Sequence, residues 1–200
     1  MNIEHLLAAN AAWADARRSH QPDFFHRLAA GQAPTALWIG CADSRVPPDH
    51  IIGSDPGTLF VHRNVANIVS SGDLNLMSVL EYATTALKVR DIFVCGHESC
   101  GGVAAALDGP PDGVLRHWLS PIERLAQEHQ AELKTQESRA VRIARLVELN
   151  VRRQVQEVSL TPPVLVARAR GQSLTVHGFV FHLSTGLLED LDCGSNGLSS

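Results

Sequence analysis

The chain has 200 residues, 44% of them hydrophobic and 19% charged, a balance that gives a packed globular protein and excludes wholesale disorder. Seventeen Lys and Arg against 21 Asp and Glu leave a formal charge of −4, without the basic excess of a nucleic-acid binder. No run approaches the roughly 18 apolar residues of a membrane span, and the opening MNIEHLLAAN carries Glu4 and no basic leader, so a cytoplasmic, single-domain chain is expected.

His5 to Arg17 and Pro22 to Ala30 read as helices, the second with proline in its first turn. Ala36 to Gly40 (ALWIG) is a short apolar run of the kind that forms a buried strand. Thr58 to His62 is a second strand after the Asp55-Pro56-Gly57 turn, and Asp73 to Lys88 is helical, with Leu76, Val79, Leu80, Ala83 and Leu87 on one face. Asp91 to Cys95 is a third strand; Gly101 opens another helix, and Asp108 to Gly113 is a loop. Val114 to Leu133 is helical with a kink expected at Pro121. Glu137 to Leu160 follows, with Ala140, Ala144, Val147, Val151, Val155 and Val158 at helical spacing. Thr161-Pro162-Pro163 starts a short helix ending at Gly171. Ser173 to Phe181 and Leu187 to Leu191 read as a strand pair, and residues 193–200 as a flexible tail. Alternating strands and helices predict an α/β fold with a mainly parallel central sheet flanked by helices.

Two polar clusters sit at strand ends. Cys41-Ala42-Asp43-Ser44-Arg45 follows the first strand, and His97-Glu98-Ser99-Cys100-Gly101-Gly102 follows the third. Ligands of open parallel sheets bind beyond the carboxyl ends of the strands, so both clusters belong to one functional edge. In extended backbone Cys41, Asp43 and Arg45 share a side, which places Arg45 where it can make a two-pronged contact with Asp43. His97 and Cys100 lie three apart at a strand-to-helix turn, and a thiolate is favoured at a helix start. Two sulfurs, one nitrogen and one carboxylate oxygen suit tetrahedral zinc. Cys95 and Cys193 are read as packing thiols. Without partners at ligand spacing, His62, His117, His129, His177 and His182 are left out of the site. The absence of a CxxC pair speaks against thiol redox chemistry. A closed structural zinc site in a non-catalytic interaction domain is the alternative, and Arg45 argues against it, since a structural site needs no partner able to draw Asp43 off the metal.

CADSR, FVHRNVAN (Phe60 to Asn67) and CGHESCGG (Cys95 to Gly102), in that order, resemble the bacterial β-class carbonic anhydrases, in their aspartate-ligated, bicarbonate-regulated subtype. The resemblance implies reversible hydration of CO2 to bicarbonate and a proton by a carbonate dehydratase, a zinc lyase. One zinc would be held by Cys41, Asp43, His97 and Cys100, with Asp43–Arg45 as a gating dyad. Zinc lowers the pKa of bound water to about 7, a value known from carbonic anhydrase itself. Two thiolates should make the metal less acidifying, so activity is expected on the alkaline side. Gln32, Val65, Tyr82 and Gly101 match positions lining the family's cleft at a dimer interface. Trp38 and Arg63 match two residues of the family's inhibitory bicarbonate site, where Phe181 replaces a tyrosine. The family's N-terminal helices, here residues 1–34, wrap a neighbouring subunit, in dimers that pair into tetramers. A zinc hydrolase of CS2 or COS is the rival enzyme on a similar fold.

Overall fold

The computed structural model describes residues 2–195, and the chain divides between Ala33 and Pro34 into two compact units. In the first, helix α1 (Ile3–His20) starts at Asn2, whose side chain accepts the Glu4 N–H at 3.0 Å and satisfies one of the free donors of the first turn. Helix α2 (Phe24–Ala29) follows, with Pro22 in the turn before it rather than in its first turn. Trp13, Phe24 and Phe25 meet edge to face, with ring centres 5.1–6.4 Å apart, and the Arg17 guanidinium lies 5.4 Å from the Phe24 ring centre. These ring contacts hold the helical pair.

The second unit is built on a five-stranded sheet: β1 (Ala36–Cys41), β2 (Leu59–Asn64), β3 (Asp91–His97), β4 (Thr175–His182) and β5 (Leu187–Asp190). Their order is β2-β1-β3-β4-β5; the first four run parallel and β5 is antiparallel. The α/β fold with a mainly parallel sheet is as expected. β1 is buried along its whole length, which is why its six residues read as a continuous apolar run. From β1 the chain moves outward to β2, then crosses back over β1 to β3 and continues to β4 on the other side. The adjacent carboxyl ends of β1 and β3 therefore form the topological switch point of the sheet, and both polar clusters lie there.

Helices α3 (Pro48–Ile51), α4 (Leu74–Thr85), α5 (Gly101–Asp108), α6 (Val114–Glu128), α7 (Gln130–Lys134), α8 (Arg139–Ser159) and α9 (Pro162–Ala169) complete the unit. Pro121 lies inside α6 without ending it: the His117 carbonyl, which would have bonded the missing N–H, accepts the Ser120 hydroxyl at 2.8 Å instead. The break expected near Pro121 falls at His129, between α6 and α7. The buried face of α8 also differs from its expected stripe. Ala140 and Ala144 are exposed, while Ile143, Leu146, Asn150 and Gln154 join Val147, Val151, Val155 and Val158 inside. The expected stripe thus holds from Val147 onward and fails only in the first turns.

α8 presses closely on the sheet. A methyl group at Gly178 would lie 2.6 Å from Cys193 Sγ and 3.0 Å from Val151 and Val155. Gly178→Ala should therefore overpack this contact and destabilise the fold by about 1–3 kcal/mol. Urea unfolding checks this, and an unchanged midpoint would refute the close approach. Beyond β5, Ser195 pairs with Val176 in both directions, at 3.0 and 3.3 Å, so residues expected to begin a tail at 193 are tied to β4. Residues 196–200 of that expected tail lie outside the described residues. No described helix is long and apolar enough to cross a membrane.

Candidate metal centre

Cys41 is the last residue of β1, His97 the last of β3, and Cys100 the N-cap of α5. Parallel pairing of β1 with β3, Gly40 opposite Cys95, brings both strand ends to the same edge, and the short turn at Glu98-Ser99, with Ser99 at φ 54, returns the chain so that Cys100 joins Cys41 and His97 there. The two sulfurs are 4.0 Å apart, and the ligand atoms of Cys41, His97 and Cys100 all lie within 4.8 Å of one another, with all three residues buried. His97 Nδ1 lies 2.9 Å from the Glu98 carbonyl. A carbonyl only accepts, so Nδ1 carries the proton and Nε2 presents a lone pair to the sulfurs. Nε2 is buried with no hydrogen-bond partner among the described residues. An orphaned, buried imidazole nitrogen beside two thiols is costly unless something fills the gap. Zinc or another thiophilic divalent cation fits that donor set.

Electrostatics point the same way. The Cys41 thiol is pushed down by a hydrogen bond from Cys100, against the opposing effect of burial, and further by His97 and by backbone N–H groups of Asp43 and Ala66. The Cys100 thiol is pushed up by its contact with Cys41 and by burial. The first thiolate forms readily and the second resists, because two adjacent buried anions repel; a divalent cation between them reverses that balance. His97 is pulled down by burial and up, on balance, by the neighbouring Cys41 sulfur. Cys95 lies outside this cluster; it is 4% exposed, and burial raises its thiol far above the ordinary range.

Asp43 stands beside the cluster rather than within it. Its Oδ2 is 3.8 Å from His97 Nε2, but both carboxylate oxygens are held by Arg45: Nε donates to Oδ1 at 2.9 Å and Nη2 to Oδ2 at 2.7 Å. Cys41, His97 and Cys100 thus cluster closely, while Asp43, the fourth expected ligand, is paired with the guanidinium of its expected partner. The extended backbone expected for this segment is a turn. The Arg45 N–H donates to Asp43 Oδ1 at 2.9 Å, an Asx-type closure that brings the guanidinium back over the carboxylate. Asp43 is held well below the usual carboxylate range, chiefly by the Arg45 side chain. Arg63, from β2, donates its Nε–H to the Cys41 carbonyl at 2.8 Å and an Nη2–H to the Asp43 carbonyl, so it braces the same segment.

The remaining expected residues are distributed unevenly. Val65 borders the centre: its Cγ1 would lie 3.0 Å from a methyl at Gly102, in the first turn of α5. Gly101 opens α5 next to Cys100, with nothing within 4 Å of the place a side chain would take. Tyr82 is on α4, half-exposed, its ring 5.7 Å from Phe60. Gln32 belongs to the N-terminal unit, described by itself, and is exposed. Trp38, Arg63 and Phe181 share one face of the sheet. The Trp38 indole lies along Gly40, the register partner of Arg63, whereas Phe181 pairs with His97 on β4, two strands and so about 10 Å from β1.

Sequence reading missed the supports of the centre. Glu98 accepts from both the backbone N–H and the hydroxyl of Ser184, each at 2.9 Å, and its own N–H donates to the Phe181 carbonyl at 2.9 Å. The peptide that orients His97 is thereby anchored to the β4–β5 turn. Asn150 and Gln154 of α8 reach the loop after β2. Two amides one helical turn apart on an apolar face were the signal that could have found them.

This is the frame of an α/β protein with a Cys-His-Cys centre at its switch point. A family model described as Carbonic anhydrase matches residues 36–188. The Carbonic anhydrase of Emericella nidulans is 45% identical over 195 residues, covering 98% of this chain and 86% of its own. One of the two tetrameric β-carbonic anhydrases from the filamentous ascomycete Sordaria macrospora superposes with a TM-score of 0.91 at 44% identity, over 96% of this chain and 98% of that one. The Carbonic anhydrase of Pseudomonas aeruginosa is 37% identical over 184 residues, covering 86% of this chain and 79% of its own. The chain belongs to the carbonic anhydrase family, in its β class. Its activity is the family's reversible hydration of CO2, a lyase reaction. The expected bacterial affiliation is corrected: the Emericella and Sordaria relatives are more similar than the Pseudomonas one.

Proposed function

We propose that the chain hydrates CO2 with one zinc ion held by Cys41, His97 and Cys100, and that Asp43 and Arg45 control access to the remaining position. The orphaned, buried Nε2 of His97 between two thiols carries this reading. When bound, zinc supplies the Lewis acidity that makes a coordinated water acidic near neutrality. The protein does the rest. Glu98 fixes the His97 tautomer, and Arg45 keeps Asp43 ionised and off the metal. Asp43 Oδ2, close to His97 Nε2, is then an acceptor for the proton of a group at the open position, and orients it. Val65 offers an uncharged CO2 molecule an apolar wall that does not compete for the metal. Stopped-flow CO2 hydration, with metal analysis of the same sample, tests the assignment. Active protein with no stoichiometric metal would overturn the zinc reading.

Self-association is supported by the tetrameric Sordaria relative. We take the unit to be a dimer able to pair into a tetramer, with Gln32 and Tyr82 completing the cleft at the interface. The four free cysteines suit a reducing compartment such as the cytoplasm.

Bicarbonate control is proposed through Trp38, Arg63 and Phe181. An anion that draws Arg63 off the Cys41 and Asp43 carbonyls would loosen the turn carrying the dyad, so occupancy there would favour the closed state. Phe181 lacks the hydroxyl of a tyrosine, a loss of one hydrogen bond, typically about 1 kcal/mol. Phe181→Tyr should therefore strengthen bicarbonate inhibition several-fold. Activity against bicarbonate concentration for both proteins reads this directly, and identical curves would remove Phe181 from the site.

A further inference from the structure

The loop following β2 is held in an unfavourable shape. Ala66 and Asn67 have φ of 64 and 47, a left-handed conformation in two successive non-glycine residues. Such strain persists only where the surroundings over-determine it. Local help is limited: Asn64 closes the loop by donating to the Ile68 carbonyl at 2.7 Å and accepting its N–H at 2.9 Å, and Trp118 donates to the Val65 carbonyl at 2.8 Å. The side-chain nitrogen of Asn67 is buried without a partner among the described residues.

The residues that grip Ala66 itself come from α8. Asn150 Nδ2 donates to the Ala66 carbonyl at 3.0 Å; Gln154 Nε2 donates to Asn150 Oδ1 at 2.8 Å; and Gln154 Oε1 accepts the Val69 N–H at 2.8 Å. Both amides are nearly inaccessible, at 1% and 2% exposure, on an otherwise apolar helix face. Each locks the other's orientation: Gln154 bonds Val69 through its oxygen, which leaves its nitrogen for Asn150, and that in turn leaves Asn150's nitrogen for Ala66. The same Ala66 peptide sits against the metal centre. Its Cβ would meet a methyl at Gly102, in the first turn of the helix that Cys100 caps, at 3.0 Å, and the N–H of Ala42, next to Cys41, donates to the Asn64 carbonyl at 2.8 Å.

We propose that Asn150 and Gln154 are positioning residues of the metal centre: the amide pair fixes Ala66 in the left-handed conformation that packs the loop after β2 against the segment carrying Cys41 and the first turn of α5. A loop released there shifts the Cys41 segment against the Cys100 turn, so the pair sets how well the two sulfurs are placed for a metal. α8 thus reaches a ligand from outside the coordination sphere and from the far side of the loop. The inference rests on the reading of Cys41 as a metal ligand.

The test uses the full chain loaded with Co(II), whose thiolate-to-metal absorption reports the sulfur donors without any turnover. Asn150→Ala should displace that band and weaken Co(II) against a competing chelator by about tenfold or more. Ala66→Gly on the same background should restore both, because glycine adopts positive φ without a brace. Gln154→Met, similar in volume, should move the band in the same direction and serves if Asn150→Ala does not fold. Val158→Ala, a buried change elsewhere on α8, is the control: it should lower thermal stability and leave the band in place. A folded Asn150→Ala or Gln154→Met protein with the parent's band and chelator competition overturns the proposal, as does a Val158→Ala protein with an equal band shift. A parent chain that shows no thiolate band with Co(II) overturns the metal assignment itself, a different failure.

Discussion

Cys41→Ala protein is expected to retain less than about a tenth of the parent's zinc and to lose hydration activity with it, since one of the three proposed protein ligands is gone and the nearest other donor, Asp43, is held by Arg45. The remaining pair, His97 and Cys100, comes from one short segment and cannot by itself bridge β1 to β3. A second measurement separates loss of metal from loss of fold. Zinc should stabilise the parent, as any ligand of the native state does, by about 2.7 kcal/mol at a hundredfold excess over its dissociation constant, and so raise its thermal midpoint. The variant should show no such shift. Stoichiometric zinc in Cys41→Ala, or an equal thermal response, would remove Cys41 from the ligand set.

Arg45→Ala is expected to keep its zinc and lose activity by about a hundredfold, the scale associated with small misplacements of a reacting group. Removing the guanidinium takes away both side-chain bonds to Asp43 and leaves only the backbone N–H. The freed carboxylate, already 3.8 Å from His97 Nε2, is then the natural occupant of the open position. Arg45→Lys should fall between, because an ammonium makes one contact where the guanidinium makes two. The pH dependence has a definite sign. Arg45 depresses the Asp43 carboxyl, so the pair's contribution to stability is present above the ordinary carboxylate pKa and is lost only as pH falls through the lower folded value. Protonation of Asp43 therefore does not cause any loss of parent activity between pH 5 and 8. A fully active, zinc-loaded Arg45→Ala protein would dismiss the dyad.

Much of this arrangement was legible because each part was local. The strands β1 and β3 read as apolar runs that end in polar residues, and the alternation of elements implied the parallel sheet whose switch point gathers those ends. The four residues expected at the centre, Cys41, Asp43, His97 and Cys100, stood out through their chain spacing and their place after strands. What stayed hidden depended on backbone conformation or on distant contacts. Nothing in the composition of residues 42–46 distinguishes an extended segment from an Asx-type turn, yet that turn decides where Arg45 points. Pro121 looked like a break, and only the nearby Ser120 hydroxyl explains why it is not. Asn150 and Gln154 escaped because they are polar residues set among Val147, Val151, Val155 and Val158, on a face read from its apolar members alone. Their partners lie 84 and 85 residues earlier in the chain, beyond the reach of any periodicity.

The separation of the two sulfurs along the chain has a mechanical consequence. Cys41 and Cys100 are 59 residues apart. An ion joining them closes a loop that takes in β2, α4 and β3, more than a quarter of the protein. In the chain-entropy treatment of cross-links, a closure of that length disfavours the unfolded ensemble by about 4 kcal/mol at room temperature. The catalytic ion would then also act as a rivet through the centre of the sheet, and its release would loosen the three strands β2, β1 and β3 together, leaving the edge at β5 to hold by its own hairpin.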